Sequence, residues 1–158
     1  MTVDVRGLSL EERLTRLEDE RAILQTLYSY GHGIDYGLED EFLDCWTENA
    51  VLHWPDRPPI AGHAALAEAF RAHTHAPRVF HKHVVVEPRI EIDGDRATVD
   101  CYFARLDSYE DGPGIRSFGR YRDVLVRCPD GRWRFTERRT EREARRWNPI
   151  RAELHTAS

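Results

Sequence analysis

The chain has 158 residues, 41% of them hydrophobic and 32% charged, and a net charge of -5 at pH 7. That make-up suits one globular domain with a sizeable core; the negative balance argues against nucleic acid as a partner, and no apolar run approaches the ~18 residues of a membrane span. The N-terminal "MTVDVRGLSLEERL" has neither a basic head nor an apolar stretch, so no signal peptide is expected, and Cys45, Cys101 and Cys128, without CxxC spacing, read as reduced thiols of a cytoplasmic protein.

Taken in chain order, Ser9-Leu10-Glu11-Glu12 is a capping box that predicts a helix start. Leu10, Leu14, Leu17, Ile23, Leu24, Leu27 and Ile34 follow at three- and four-residue steps as an apolar stripe, and Gly37 supplies a left-handed stop. Gly31 and Gly33 fall inside this helix at a cost of about 1 kcal/mol each relative to alanine, which implies close packing or room for a ligand. A short helix over Glu39–Trp46, a strand in "AVLHW", a loop at "PDRPP" and a helix from Gly62 to about His73 come next. Four strand-like runs complete the pattern, Phe80–Ile92, Ala97–Asp107, Arg116–Arg127 and Arg132–Thr140, separated by the turn sequences "DGD", "EDGPG" and "PDG". Helices followed by an antiparallel meander predict an α+β fold in a single domain over residues 9–147, with loose ends at 1–8 and 148–158. Gly119 in "SFGRYRD" marks a kink where the sheet bends.

The motifs "LYSYGHGIDYG", "FLDCWTENAVLHW", "HVVVEPRIEIDGDRATV" and "GRYRDVLVRCPDGRWRF", in this order over about Glu20–Arg139, resemble the SnoaL-like group of the nuclear transport factor 2-like superfamily. The resemblance implies a cone-shaped curved antiparallel sheet packed by N-terminal helices around a deep pocket, with association as a homodimer or homotrimer through the open sheet. It also implies cofactor-independent chemistry of the kind run by dehydratases, polyketide cyclases, dehydrochlorinases and isomerases. Structural subunits of oxygenases share the fold, so a non-catalytic ligand-binding or structural-subunit role is the alternative. The superfamily's bile acid dehydratase and dehydrochlorinase pair an aspartate near the end of the first helix with a histidine opening the long strand. Those positions match Asp35 and His83 here. The dehydratase's tyrosine on the first helix matches Tyr30, and its arginine on the last strand falls best at Arg142, with Arg138, Arg139 and Arg146 also within reach. Glu87 stands where the family often carries Asn or Thr.

Physical chemistry adds its own reasons. A carboxylate in the last turn of a helix faces the negative end of the macrodipole, unfavourable by ~0.3–1 kcal/mol, and Asp35 therefore calls for a cation or an imidazole beside it. Strand alternation sets His81, His83, Val85 and Glu87 on one face and Val84, Val86, Ile90 and Ile92 on the other, with Pro88 implying an edge or a bulge. Tyr30 lies about 140° round the helix from Asp35, so both can border one concavity. His81, Trp54, His53, Tyr121 and Phe103 are the remaining candidates for binding a substrate, with Tyr102 and Phe118 as further aromatics; His53 and Trp54 point to opposite sides of their strand. The expected chemistry is proton abstraction by His83, oriented by Asp35 and assisted by Tyr30, on an apolar polycyclic or aromatic small molecule. A metal reading competes: "HKHVVVEPRIEIDG" fits His-x-His-x3-Glu-x6-Gly, half of the cupin motif, which would make His81, His83 and Glu87 ligands. The other half of that motif is missing, so the expectation is no metal and no cofactor.

Overall fold

Ser9 caps the first helix in both directions: its Oγ accepts from the Glu12 amide at 3.2 Å while the Glu12 carboxylate accepts from the Ser9 amide at 2.7 Å. The computed structural model describes residues 5–147; the expected loose ends at 1–4 and 148–158 lie outside these residues, and Val5–Gly7 form a single 3-10 turn. Helix α1, Leu10–Tyr36, ends at Gly37 in the left-handed conformation, φ 71°. The apolar stripe is only half used. Ile23, Leu27 and Ile34 are fully buried, whereas Leu10, Leu14 and Leu17 stand exposed, because the first turns of α1 have no sheet beneath them. The middle of α1 is fastened by Asp19, which accepts from Trp133 Nε1 at 3.1 Å and from Arg127 at 2.7 Å.

Helix α2, Glu39–Asp44, stops before Trp46, which opens strand β1, Trp46–His53, longer than "AVLHW" suggested. Strand β2, Ile60–Ala61, pairs with β1 ahead of helix α3, His63–Ala72. The meander follows as β3, Lys82–Asp93; β4, Arg96–Tyr109; β5, Gly112–Arg127; and β6, Trp133–Arg145. These are the expected antiparallel strands, but the sheet has six members in the order β2-β1-β6-β5-β4-β3, with β1 parallel to β6. The result is an α+β architecture: helices packed on a curved, unclosed sheet whose edges are β2 and β3. The core lies between them. Leu27, Phe42, Trp46, Leu52, Trp133 and Phe135 are buried there, each worth roughly 1.5–3 kcal/mol on an area basis. No helix among the described residues is long and apolar enough to cross a membrane.

Strand alternation holds on β3 only as far as Val86. The pairing with β4 slips between Val86 and Arg89, and Glu87 takes a positive φ of 51°. This bulge reverses the parity beyond it. Ile90 and Ile92 pack against the core with Val85, while Val84 and Val86 face outwards. The two pairs were expected to share a face, and they do not.

Candidate active site

Two glycines of α1 set the site's dimensions. A Cβ on Gly31 would lie 3.2 Å from the His83 carbonyl oxygen, and one on Gly33 would lie 3.1 Å from the backbone of Phe42. Their bare faces let β3 and α2 approach the last turns of α1. Asp35, in the final turn and 3% exposed, then reaches β3 with both oxygens. Oδ1 accepts from His83 Nδ1 at 2.6 Å, and Oδ2 accepts from the His83 backbone amide at 3.0 Å. Burial pushes the Asp35 carboxyl up. The hydrogen bonds from the His83 ring and amide, with the nearby imidazoles, more than offset it, and the group sits below its ordinary range. A carboxylate only accepts, so Nδ1 carries a ring hydrogen, and in the neutral imidazole the lone pair then falls on Nε2.

His83 lines a cavity of about 320 Å³. Tyr30, Trp54, Phe103 and Tyr121 form its aromatic wall. Phe103 and Tyr121 stack with centroids 4.7 Å apart, and the Tyr30 ring stands edge-on to His83 at 6.4 Å. Trp54 Nε1 donates to the Tyr30 hydroxyl at 3.3 Å, which leaves the hydroxyl hydrogen available to a ligand. Burial raises the Tyr30 phenol above its ordinary range, so it stays protonated. Beneath the wall, Arg138 is fully buried and sandwiched by the Tyr30, Tyr121 and Phe135 rings at 4.1–4.3 Å. Asp123 accepts from it twice, at 2.8 and 2.7 Å.

Of the remaining candidates, Arg142 lines the cavity, bonded to Asp56 at 2.5 Å. Arg138 belongs to the core, and Arg139 faces outwards beside His53. His53 is not in the cavity: alternation on β1 turns it away, and its Nε2 lies 3.1 Å from Glu137. Tyr102 and Phe118 are exposed on the outer face of the sheet. His81 is buried behind His83 rather than lining the cavity, with its ring 5.3 Å from that of His83 and neither nitrogen hydrogen-bonded. Burial, then the charge of Arg105, pushes its pKa down to about 3. His73 was passed over in the sequence, yet it lines the cavity and is likewise pushed down to about 3 by burial and Arg105. Only the density of histidines between residues 73 and 83 hinted at it.

The His81, His83 and Glu87 set does not assemble, because the bulge carries Glu87 away and leaves it exposed. Asp35 takes its place: Asp35, His81 and His83 each bring a ligand atom within 4.8 Å of the others, with His81 Nε2 3.4 Å from Asp35 Oδ1. Two imidazoles and a carboxylate are a donor set that transition metals accept.

A sequence model described as the SnoaL-like domain matches residues 15–139, most of the chain. The chain belongs to the SnoaL-like family. Among solved structures it is similar to a Mycobacterium tuberculosis protein of unknown function, 28% identical, over 80% of this chain and 77% of that one, with a TM-score of 0.73. A Catenulispora acidiphila protein solved in complex with S-DNPA is 26% identical over 78% of this chain and 92% of that one, TM-score 0.68. A candidate scytalone dehydratase from Novosphingobium aromaticivorans, 20% identical over 87% and 92% of the two chains with a TM-score of 0.73, shares the fold. That fold is the cystatin-like one of the NTF2-like proteins. No curated protein matches this SnoaL-like chain.

Proposed function

We propose that this SnoaL-like protein is a cofactor-independent lyase or cyclase that moves a proton at carbon on a small aromatic or polycyclic substrate. The observation that carries the reading is the 2.6 Å bond from His83 Nδ1 to the buried Asp35, with His83 facing the cavity. His83 Nε2 takes a proton from carbon beside a carbonyl. Asp35 holds the ring in position and balances the imidazolium that forms. The Tyr30 hydroxyl donates to the carbonyl or to the departing hydroxyl. In a dehydration the electrons of the C–H bond form the new double bond. The hydroxyl leaves, and the proton held by His83 returns to it as water, so the protein ends the cycle unchanged. Family membership and the dehydratase-like neighbour support a dehydratase or cyclase type of reaction.

The test is turnover of hydroxylated polycyclic ketones followed by mass spectrometry for loss of water. His83→Ala is expected to lower turnover by about 10²–10⁴-fold, the usual weight of a general base. A His83→Ala protein as active as the parent sinks the proposal. Tight binding of the same ketones without turnover favours the ligand carrier instead. One observation supports a second reading, a divalent metal on Asp35, His81 and His83: the two buried, unpartnered nitrogens of His81. Titration with Co²⁺ decides it, since ligation by two imidazoles gives visible d–d absorption that His81→Phe removes.

A further inference from the structure

The cavity's wall is aromatic, but its rim carries more charge than the one arginine, Arg142, that the sequence pointed to. Arg57, Arg105, Arg116, Arg142 and Arg145 all line it. Two aspartates answer these five charges. Asp56 takes Arg142 at 2.5 Å, and Asp107, just behind the lining, takes Arg105 at 3.0 Å and Arg116 at 3.4 Å. Asp35 is already engaged by His83. Among the described residues Arg57 and Arg145 meet no acid; each lies over a tryptophan, Trp54 at 5.6 Å and Trp147 at 4.1 Å.

Two β-bulges bring these side chains together. Arg105 pairs with Ser117 and Leu106 with Ile115, so Arg116 is an extra residue on β5. Gly119 pairs with Arg142 and Phe118 with Ala144, so Glu143 is an extra residue on β6. In an unbroken strand neighbours point to opposite faces, as do residues three apart. The bulges reset that alternation, and Arg116 beside Ser117, and Arg142 with Arg145, all turn inwards. Gly119 makes the second bulge possible, because any Cβ there would sit 2.0 Å from the Glu141 carbonyl oxygen. A partly desolvated cluster with an excess of positive charge is unfavourable by itself. Burial and the neighbouring Arg105 and Arg145 hold the Arg116 guanidinium below its ordinary range. On the same wall Thr140 Oγ1 is buried with no hydrogen-bond partner.

We infer that the substrate of this site carries a carboxylate, bound by Arg116, Arg142 and Arg145 at the bulged rim while its aromatic body lies on Phe103 and Tyr121 towards His83. The inference rests on the cavity being the substrate site and adds its ligand class. A neutral polycycle would leave the rim charges unanswered, whereas a carboxylate accepts from the guanidinium forks and completes them.

The test is calorimetric binding of 2-naphthoate and of its neutral isostere 2-naphthamide to the full-length protein at pH 7.5. Naphthoate is expected to bind about tenfold tighter or better, as charge-assisted bonds to arginine allow. That preference should shrink as salt rises from about 0.05 to about 0.5 M. Arg145→Gln, which strands no acid, should cut the preference severalfold, and Arg142→Gln combined with it should bring naphthoate down to the level of naphthamide. Equal affinity for the two probes, no binding of naphthoate, or a preference that survives both variants overturns the inference. The readout is binding, so a failed turnover screen leaves this result standing, and equal binding of the probes leaves the His83 reading standing.

Discussion

Asp35 holds His83 at two points, the ring and the main chain, and an amide cannot do both. In Asp35→Asn the single carbonyl oxygen serves one donor while the NH₂ group faces the other. Either the His83 amide or its Nδ1–H loses its acceptor, and the ring is free to take the wrong tautomer. We expect turnover to fall by about 10³–10⁴-fold, the scale seen when an orienting aspartate of a histidine base is neutralised, with a melting point lower by a few degrees. A loss of less than tenfold would show that His83 acts without the aspartate. His73 and His81 make a separate prediction in acid. Both are held near a pKa of about 3, chiefly by burial, against an ordinary value of 6.5. Between those values the unfolded chain binds more protons than the folded one, so stability is intact above pH 6.5 and falls steadily as pH drops towards 3. Calorimetric melting from pH 7.5 to 5 should show the decline, and His81→Asn should flatten it. The Asp35–His83 contact was legible through the family resemblance, which matched both positions, and the unfavourable place of a carboxylate at a helix C-terminus gave it a physical reason. His81 as a buried neighbour, and His73 at the cavity wall, were not legible: their surroundings are set by contacts across three elements.

Elements were readable where a local cause decides them. The capping box, the glycine stop and the three turn sequences each act within a few residues, and helices and strands begin and end close to them. What failed was non-local. Periodicity ran the stripe of α1 to Leu10, but burial depends on where the sheet ends. Alternation placed Ile90 and Ile92 with Val84, and the bulge at Glu87 undid it. The parallel pairing of β1 with β6 joins residues more than 80 apart, such as Leu52 and Arg138, and leaves no local trace. The helix glycines are testable at this scale. Gly31→Ala gains about 1 kcal/mol of helix propensity but sets a methyl 3.2 Å from the His83 carbonyl, so the strand must give way. Overpacking of this kind costs about 1–3 kcal/mol. The net runs from about zero to a loss of about 2 kcal/mol, and we expect a melting point equal to the parent's or a few degrees below it, with a clear loss of turnover. Gly33→Ala meets three atoms of Phe42 at 3.1 Å and should lose stability outright. Unchanged activity in Gly31→Ala would mean that the approach of β3 to α1 does not govern the site.

At the scale of the molecule, the sheet is open and its outer face carries an apolar patch at one end. Val86 pairs with Tyr102, and Val84, Ala104 and Phe118 form a row across three strands; Val84, Val86, Tyr102 and Phe118 are all exposed. We propose that a second copy covers this face, since a patch contiguous over β3, β4 and β5 is of the kind that monomers rarely expose. Light scattering on the eluted protein should give a multiple of the monomer's 18.5 kDa, and the Val86→Glu, Tyr102→Glu variant should run as a monomer. A parent protein that is monomeric at micromolar concentration contradicts this. The grip of Asp35 on the His83 amide has a consequence for motion as well. β3 is the last strand of the sheet, and its first residues are pinned to a side chain of α1 as well as to β4. Opening of that edge and loss of the aligned imidazole are therefore one event. Whatever fills the cavity and steadies His83 also slows the breathing of the strand, and deuterium uptake at the amides of His83 to Val86 becomes a gauge of occupancy that needs no knowledge of the reaction.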